Sequence, residues 1–115
     1  ALMLAKKGGL DLAQAYHAIA ASSGNSFVHE TESQLVLNGS YDIGFTMDLA
    51  LKDLGFALAM AREGGVPLDL AERVNAIFEQ GKAAYGGDAW STMIVKLLED
   101  ATFTDLQAPG FPAKL

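Results

Sequence analysis

No cysteine occurs among the 115 residues, so neither a disulfide framework nor a thiolate metal site is available. That lack fits a reducing, cytoplasmic compartment. Cations are scarce: eight Lys and Arg stand against 14 Asp and Glu, for a formal charge of −6. Nucleic-acid surfaces are built from clustered Lys and Arg, so this balance argues against a nucleic-acid partner. No apolar run approaches the roughly 18 residues that span a bilayer, and no membrane partner is expected. No G-x-G-x-x-G segment is present. The three Gly-Gly pairs read as helix stops, and no dinucleotide fingerprint is left. Strand-like alternation is also lacking, with Ser33 to Leu37 the one stretch where a strand could be argued.

What remains is an apolar, helix-forming chain. Half the residues are hydrophobic, enough for one domain with one core. Only 19% are charged, which leaves apolar surface for burial against another domain or subunit. Ala1 to Lys7 read as the end of a helix stopped by Gly8 and Gly9. With no cap before Leu2, this opening suggests a domain cut from a longer protein. Asp11 with Gln14 has the spacing of a capping box for a helix from Leu12 to about Ala21. Ser26 caps a third helix to about Leu37. A fourth runs from about Thr46 to Glu63. Its stripe of Met47, Leu51, Leu54, Leu58 and Ala61 is joined by a second, Leu49, Phe56 and Met60. That near-complete apolar circumference predicts the most buried helix of the fold. Asp69 with Glu72 predicts a capping box for a fifth helix ending near Gly86, with Val74, Ile77, Phe78 and Tyr85 facing inward. Asp88 is expected to cap a sixth helix carrying Trp90, Met93, Ile94, Leu97 and Leu98. Residues 101–115 read as an extended tail. The fold class is therefore all-α, a bundle of about six helices in a single domain over 1–115.

Few residues offer chemistry. Asp48, Lys52, Gly55, Ala59 and Arg62 form a polar strip on the fourth helix. Lys52 is either half of an exposed Asp48–Lys52 pair or a lysine projecting into a cleft, where it attracts an anion. His17 reads as a surface or packing residue. His29 with Glu30 and Glu32 fits no metal-ligand spacing, so no metal is expected. Ser22, Ser23, Gly24 and Ser26 could hold an anion, though such clusters more often end one helix and cap the next. Ser91 and Thr92 have no base nearby and make no nucleophile. Trp90 and Phe78 read as core.

The run Gly44-Phe45, Leu49, Lys52-Asp53-Leu54 and Gly65-Val66-Pro67-Leu68 resembles the C-terminal domain of the β-hydroxyacid dehydrogenases, the 3-hydroxyisobutyrate and tartronate semialdehyde reductase group. Lys6-Lys7-Gly8-Gly9-Leu10-Asp11 and Ser23-Gly24-Asn25-Ser26 resemble it too, and the likeness extends from about Ala1 to Leu98. The resemblance implies an all-helical domain, like that of 6-phosphogluconate dehydrogenase, packed on an N-terminal Rossmann domain. Phe45 and Lys52 match positions lining the NAD or NADP cleft, and Asp53 matches an adjacent acidic position on the substrate side. The general acid–base lysine of that family lies upstream of Ala1, so no catalytic residue is assigned within the chain. Implied partners are a small hydroxyacid, the Rossmann domain and a second copy in a homodimer or higher oligomer. From a different class, the alternative is a non-catalytic helical interaction domain that oligomerises through its apolar faces. A chromatin reader with the same fold is also conceivable, since fold does not fix function, but the acidic charge opposes DNA contact.

Overall fold

The computed structural model describes every residue from Ala1 to Leu115. Six α-helices follow in order: α1 (Leu2–Lys7), α2 (Leu12–Ala20), α3 (Phe27–Asn38), α4 (Met47–Gly64), α5 (Asp69–Tyr85) and α6 (Lys96–Thr102), with a 3-10 turn at Ser91–Val95 before α6. There is no sheet, and a lone antiparallel bridge pairs Thr46 with Trp90. The all-helical expectation holds, and Ser33–Leu37 lies within α3. The backbone divides into two compact units, Ala1–Ile43 with Val95–Leu115, and Gly44–Ile94.

In the first unit, helix starts follow their caps. The Asp11 carboxylate accepts from Gln14 N at 2.8 Å and the Ser26 hydroxyl from His29 N at 2.9 Å, each satisfying a donor that a helix start leaves without a partner. Burial concentrates at the C-terminal end of α3, where Leu35, Val36 and Leu37 are consecutive core residues. Three neighbours in sequence cover most of a helical turn, so α3 is enclosed nearly all round at that level. Gly39, in the left-handed region at φ 85°, ends it. The tail is packed, not merely extended. Ala108 N donates to Leu37 O at 2.8 Å, Asn38 Nδ2 to Phe111 O at 2.8 Å, and Leu106 is buried. Phe111 meets the Tyr16 ring edge-on at 5.1 Å.

The second unit is a hairpin of α4 and α5 followed by the segment leading to Ser91. Thr46 caps α4 through Leu49 N, and Gly65 closes it at φ 65°. The stripe Met47, Leu51, Leu54, Leu58 and Ala61 is buried or half-buried. At residue 81 α5 carries a glycine because a Cβ there would stand 3.1 Å from Met47 Sδ and 2.6 Å from Ile94 Cδ1.

Three expectations are corrected. The helix α4 is not the most buried: Leu49, Phe56 and Met60 are 39%, 62% and 72% exposed. Its apolar circumference counts residues without counting neighbours, and α5 covers one side only. Asp69 is not an N-cap. Leu68 holds that position without a side-chain cap, and Asp69 is the first helical residue, where its charge still favours the helix dipole. Asp88 caps nothing, and the expected sixth helix is a 3-10 turn followed by α6 beginning at Lys96. The cause is backbone pairing: the carbonyls of Gly87 and Ala89 accept from Asp48 N and Met47 N, which keeps residues 87–90 out of a helix.

Candidate functional site

Phe45 sits in a short pinned segment. Gly44, at φ 71°, turns the chain into it. Ser91 N then donates to Phe45 O at 2.8 Å, Met47 N to Ala89 O at 2.8 Å and Asp48 N to Gly87 O at 3.0 Å. These bonds also account for the start of α4. Its first N–H groups go to Ala89 O and Gly87 O, the next to Thr46 Oγ1 at 3.3 Å, and Ala50 N to Thr46 O. No free donor is left to hold a phosphate in the way helix starts often do. An anion approaching α4 must be met by a side chain, and Lys52 is the first cation along the helix itself.

The Asp48–Lys52 pair does not form. Asp48 reaches across to α5, where its Oδ1 lies 2.6 Å from Lys82 Nζ. That hydrogen bond, with the charge of Asp48, holds the Lys82 ammonium above its ordinary pKa. Lys52 instead lies 3.1 Å from Asp53 Oδ1, both about half exposed, a surface contact of little energetic weight. Its ammonium stands 5.9 Å from the Phe56 ring centroid. At 100° per residue, Lys52, Asp53, Leu49, Phe56 and Met60 share the side of α4 opposite the α5 contact. The structure thus sets Lys52 and Asp53 on an open, largely apolar helix face, with Phe45 held half-buried just before the same helix. Three open clefts of about 560, 560 and 350 Å³ occur in the first unit, and Phe45, Lys52 and Asp53 line none of them.

The remaining candidates are structural in placement. His17 is exposed, edge-on to Tyr16. His29 is buried, with Nε2 donating to Tyr16 O at 2.9 Å, since a carbonyl only accepts, and Nδ1 3.2 Å from Ser33 Oγ. Both ring nitrogens are therefore engaged by protein. Glu30 accepts from Asn25 Nδ2, and burial raises the Glu32 carboxyl above its usual range. Ser22 Oγ donates to Ile19 O and accepts from Gly24 N, closing α2, while Ser26 caps α3. Ser91 and Thr92 are buried in the 3-10 turn, and Trp90 and Phe78 are half-buried.

Two features escape the sequence reading. Glu99, 5% exposed, accepts from Tyr41 Oη at 2.7 Å and from Leu106 N at 2.7 Å, with Lys96 Nζ at 4.0 Å. A charged residue inside an amphipathic run gives no hint of a clasp 58 positions away. The other is the Gly86-Gly87 pair. Only Gly86 adopts a positive φ, of 95°, so a helix stop needs one glycine, and the surplus one is the signal that could have been read.

The chain is all-helical, and an aromatic and a lysine stand just before and within the first turns of one helix, α4. Its family follows from comparison with known proteins. Residues 1–98 match the family described as NAD-binding of NADP-dependent 3-hydroxyisobutyrate dehydrogenase, and the chain belongs to that family, whose cofactor is NAD(P). It is 37% identical over 103 residues to 2-(hydroxymethyl)glutarate dehydrogenase of Eubacterium barkeri, covering 89% of this chain and 34% of that protein. It is 29% identical over 110 residues to L-threonate dehydrogenase of Cupriavidus necator, covering 96% and 35%. To 3-sulfolactaldehyde reductase of Escherichia coli K12 it is 36% identical over 70 residues, covering 60% and 24%. The chain thus spans about a third of the length of the first two relatives. No helix is long and apolar enough to cross a membrane.

Proposed function

We propose that this chain is the helical domain of an NAD(P)-dependent dehydrogenase acting on a small hydroxyacid of the 3-hydroxyisobutyrate kind, with Phe45 and Lys52 toward the cofactor and Asp53 toward the substrate. The observation that carries this reading is the placement of Lys52 on the open face of α4, uncommitted to Asp48, beside a helix start whose own donors are used. Such a face suits a dinucleotide, which combines an anionic pyrophosphate with flat rings. Leu49, Phe56 and Met60 supply apolar surface, and Lys52 supplies charge. When bound, NAD(P) supplies the hydride acceptor or donor. The chain's own residues orient and bind: Lys52 attracts anionic oxygen, Phe45 presents its ring, and Asp53 accepts from a substrate hydroxyl. The relatives' names share a small acid, a glutarate, a threonate and a sulfonated aldehyde, which supports a compact anionic substrate. The acid–base lysine lies upstream of Ala1 on the helix that joins the two domains, the phosphate-binding glycines belong to an N-terminal Rossmann domain, and the enzyme works in the cytoplasm as a homodimer or larger assembly.

The test is Lys52→Ala in the full-length protein. Cofactor affinity or turnover falls by about tenfold, the scale of one lost charge-assisted contact, while the melting temperature stays put. Unchanged kinetics would reduce Lys52 to a surface partner of Asp53. The 115-residue chain by itself is expected to bind NAD(P) weakly and to show no dehydrogenase activity. A second reading, oligomerisation alone, draws on the exposed Leu49, Phe56, Met60 and Leu70. It predicts self-association in sedimentation with no effect of Lys52→Ala on any ligand.

A further inference from the structure

We infer that Gly87, with the Asp48–Lys82 pair, is a positioning element for Phe45 and the cofactor side of α4; the inference rests on the functional reading above. Gly87 needs no glycine for its backbone, since its φ lies outside the left-handed region, unlike that of Gly86. It needs glycine for space. A Cβ at Gly87 would stand 2.5 Å from Asp48 Cγ and Oδ1, and closer to Oδ2, whereas a Cβ at Gly86 would meet nothing.

The Asp48 carboxylate is thus seated against the Gly87 Cα on one side. On the other it is held by Lys82 Nζ at 2.6 Å, near the end of α5. The same residue closes the backbone bond Asp48 N→Gly87 O. Its neighbours continue the pairing through Met47 N→Ala89 O, the Thr46–Trp90 bridge and Ser91 N→Phe45 O. The seat at Gly87 therefore fixes one end of a short antiparallel pairing whose other end is Phe45. An added methyl must expel the carboxylate, break its bond to Lys82, or slide residues 45–48 along 87–91. Expelling the half-exposed carboxylate gives up its bond to Lys82; where that bond is kept, residues 45–48 must slide, which moves Phe45 and the first turn of α4, and small misplacements of binding groups are costly.

Trp90 reports on this directly. It is the only tryptophan in the chain and lies in the bridge itself. The experiment compares Gly87→Ala, Asp48→Ala, Asp48→Ala/Gly87→Ala, Lys82→Met, Lys52→Ala and Phe45→Ala. Reduced NAD(P) is titrated into the full-length protein, and Trp90 emission is read in the 115-residue chain at a temperature where every variant is folded. Gly87→Ala is expected to shift Trp90 emission and to raise the cofactor Kd about tenfold. In the Asp48→Ala background the added methyl has no carboxylate to displace, so Gly87→Ala should add nothing there, the non-additivity expected of touching residues. Lys82→Met, which keeps the side-chain bulk, should shift Trp90 in the same direction by less, and it carries the test if Gly87→Ala does not fold. Parental affinity and emission in both Gly87→Ala and Lys82→Met would overturn the inference, as would additive effects in the double variant. If Lys52→Ala and Phe45→Ala weaken binding while those two do not, the positioning role alone fails. If Lys52→Ala and Phe45→Ala also bind normally, the functional reading fails with it.

Discussion

The two units differ in how they finish their cores. In the first, Met3, Leu12, Tyr16, Leu35, Val36, Leu37, Tyr41 and Leu106 are buried. The tail is drawn onto α3, and a buried carboxylate ties Tyr41 to Leu106. In the second, the buried apolar side chains are Met47, Leu58 and Ala61, while Leu49, Phe56, Met60 and Leu70 lie exposed. The first unit also leaves Leu4, Leu10, Phe27, Val28, Leu98, Phe103 and Leu115 exposed, yet it buries more apolar side chains than the second. In the second unit the open face of α4 carries Lys52 and Asp53, the residues proposed for ligand contact. On that proposal, binding draws on a face that contributes little to the core, as expected where a surface is left for a partner or ligand to cover.

The sharpest way to break this contrast is a pair of truncations. Leu35→Ala, at a fully buried site, is expected to cost about 2–5 kcal/mol. Met60→Ala, on the open face, is expected to change stability by about 0.5 kcal/mol or less. Chemical denaturation followed by circular dichroism reads both. Comparable losses would mean that the α4 face is covered in solution. Next in size comes Glu99→Ala, which removes the carboxylate that accepts from Tyr41 Oη and Leu106 N. Hydrogen bonds to charged groups contribute about 1.5–3 kcal/mol each, so a loss near 3 kcal/mol is expected, together with faster amide exchange at Leu106. A loss below about 1 kcal/mol would mean that water takes the place of the carboxylate.

The same clasp predicts an alkaline limit. Burial first, then the hydrogen bond to Glu99, pushes the Tyr41 phenol well above its ordinary pKa of 10.0. A raised pKa means that the folded state holds this proton more tightly than the unfolded chain. The contribution is therefore complete below about pH 10 and is lost as pH rises through and beyond that value. Melting temperature should fall above pH 10, and Tyr41→Phe should flatten that fall. An equal slope in the variant would assign the alkaline loss to other groups.

Much of this architecture was legible because caps and stops are local. Asp11 and Ser26 stand immediately before their helices, and Gly65 immediately after α4, so neighbouring residues sufficed to place them. The family likeness carried by Phe45 and Lys52-Asp53-Leu54 was legible for the same reason. What escaped depended on partners distant in sequence. The carbonyls of Gly87 and Ala89 are claimed by the start of α4, which cancels the helix that Asp88 otherwise announces. Asp48 prefers Lys82, 34 residues away, to Lys52 in the next turn. The burial of α4 was overestimated because residue pattern says what a face could pack against, and only the fold says what is there.

The smallest expected effect tests whether capping follows the same division. Asp11 in the first unit accepts from Gln14 N at 2.8 Å, a true cap whose removal leaves a helix donor unsatisfied. Asp69 in the second unit has the same Asp-Leu-Ala context but sits one position inside α5, with no cap bond from Leu68 before it. Its carboxylate acts only through the dipole of the helix, in water and screened by salt. Asp11→Ala should therefore cost about 1 kcal/mol and be insensitive to ionic strength. Asp69→Ala should cost about 0.3–0.5 kcal/mol at low salt and less at high salt. Denaturation midpoints at two salt concentrations separate the two. Equal, salt-independent losses would mean that Asp69 caps α5 in solution and that the second unit begins its helices as firmly as the first.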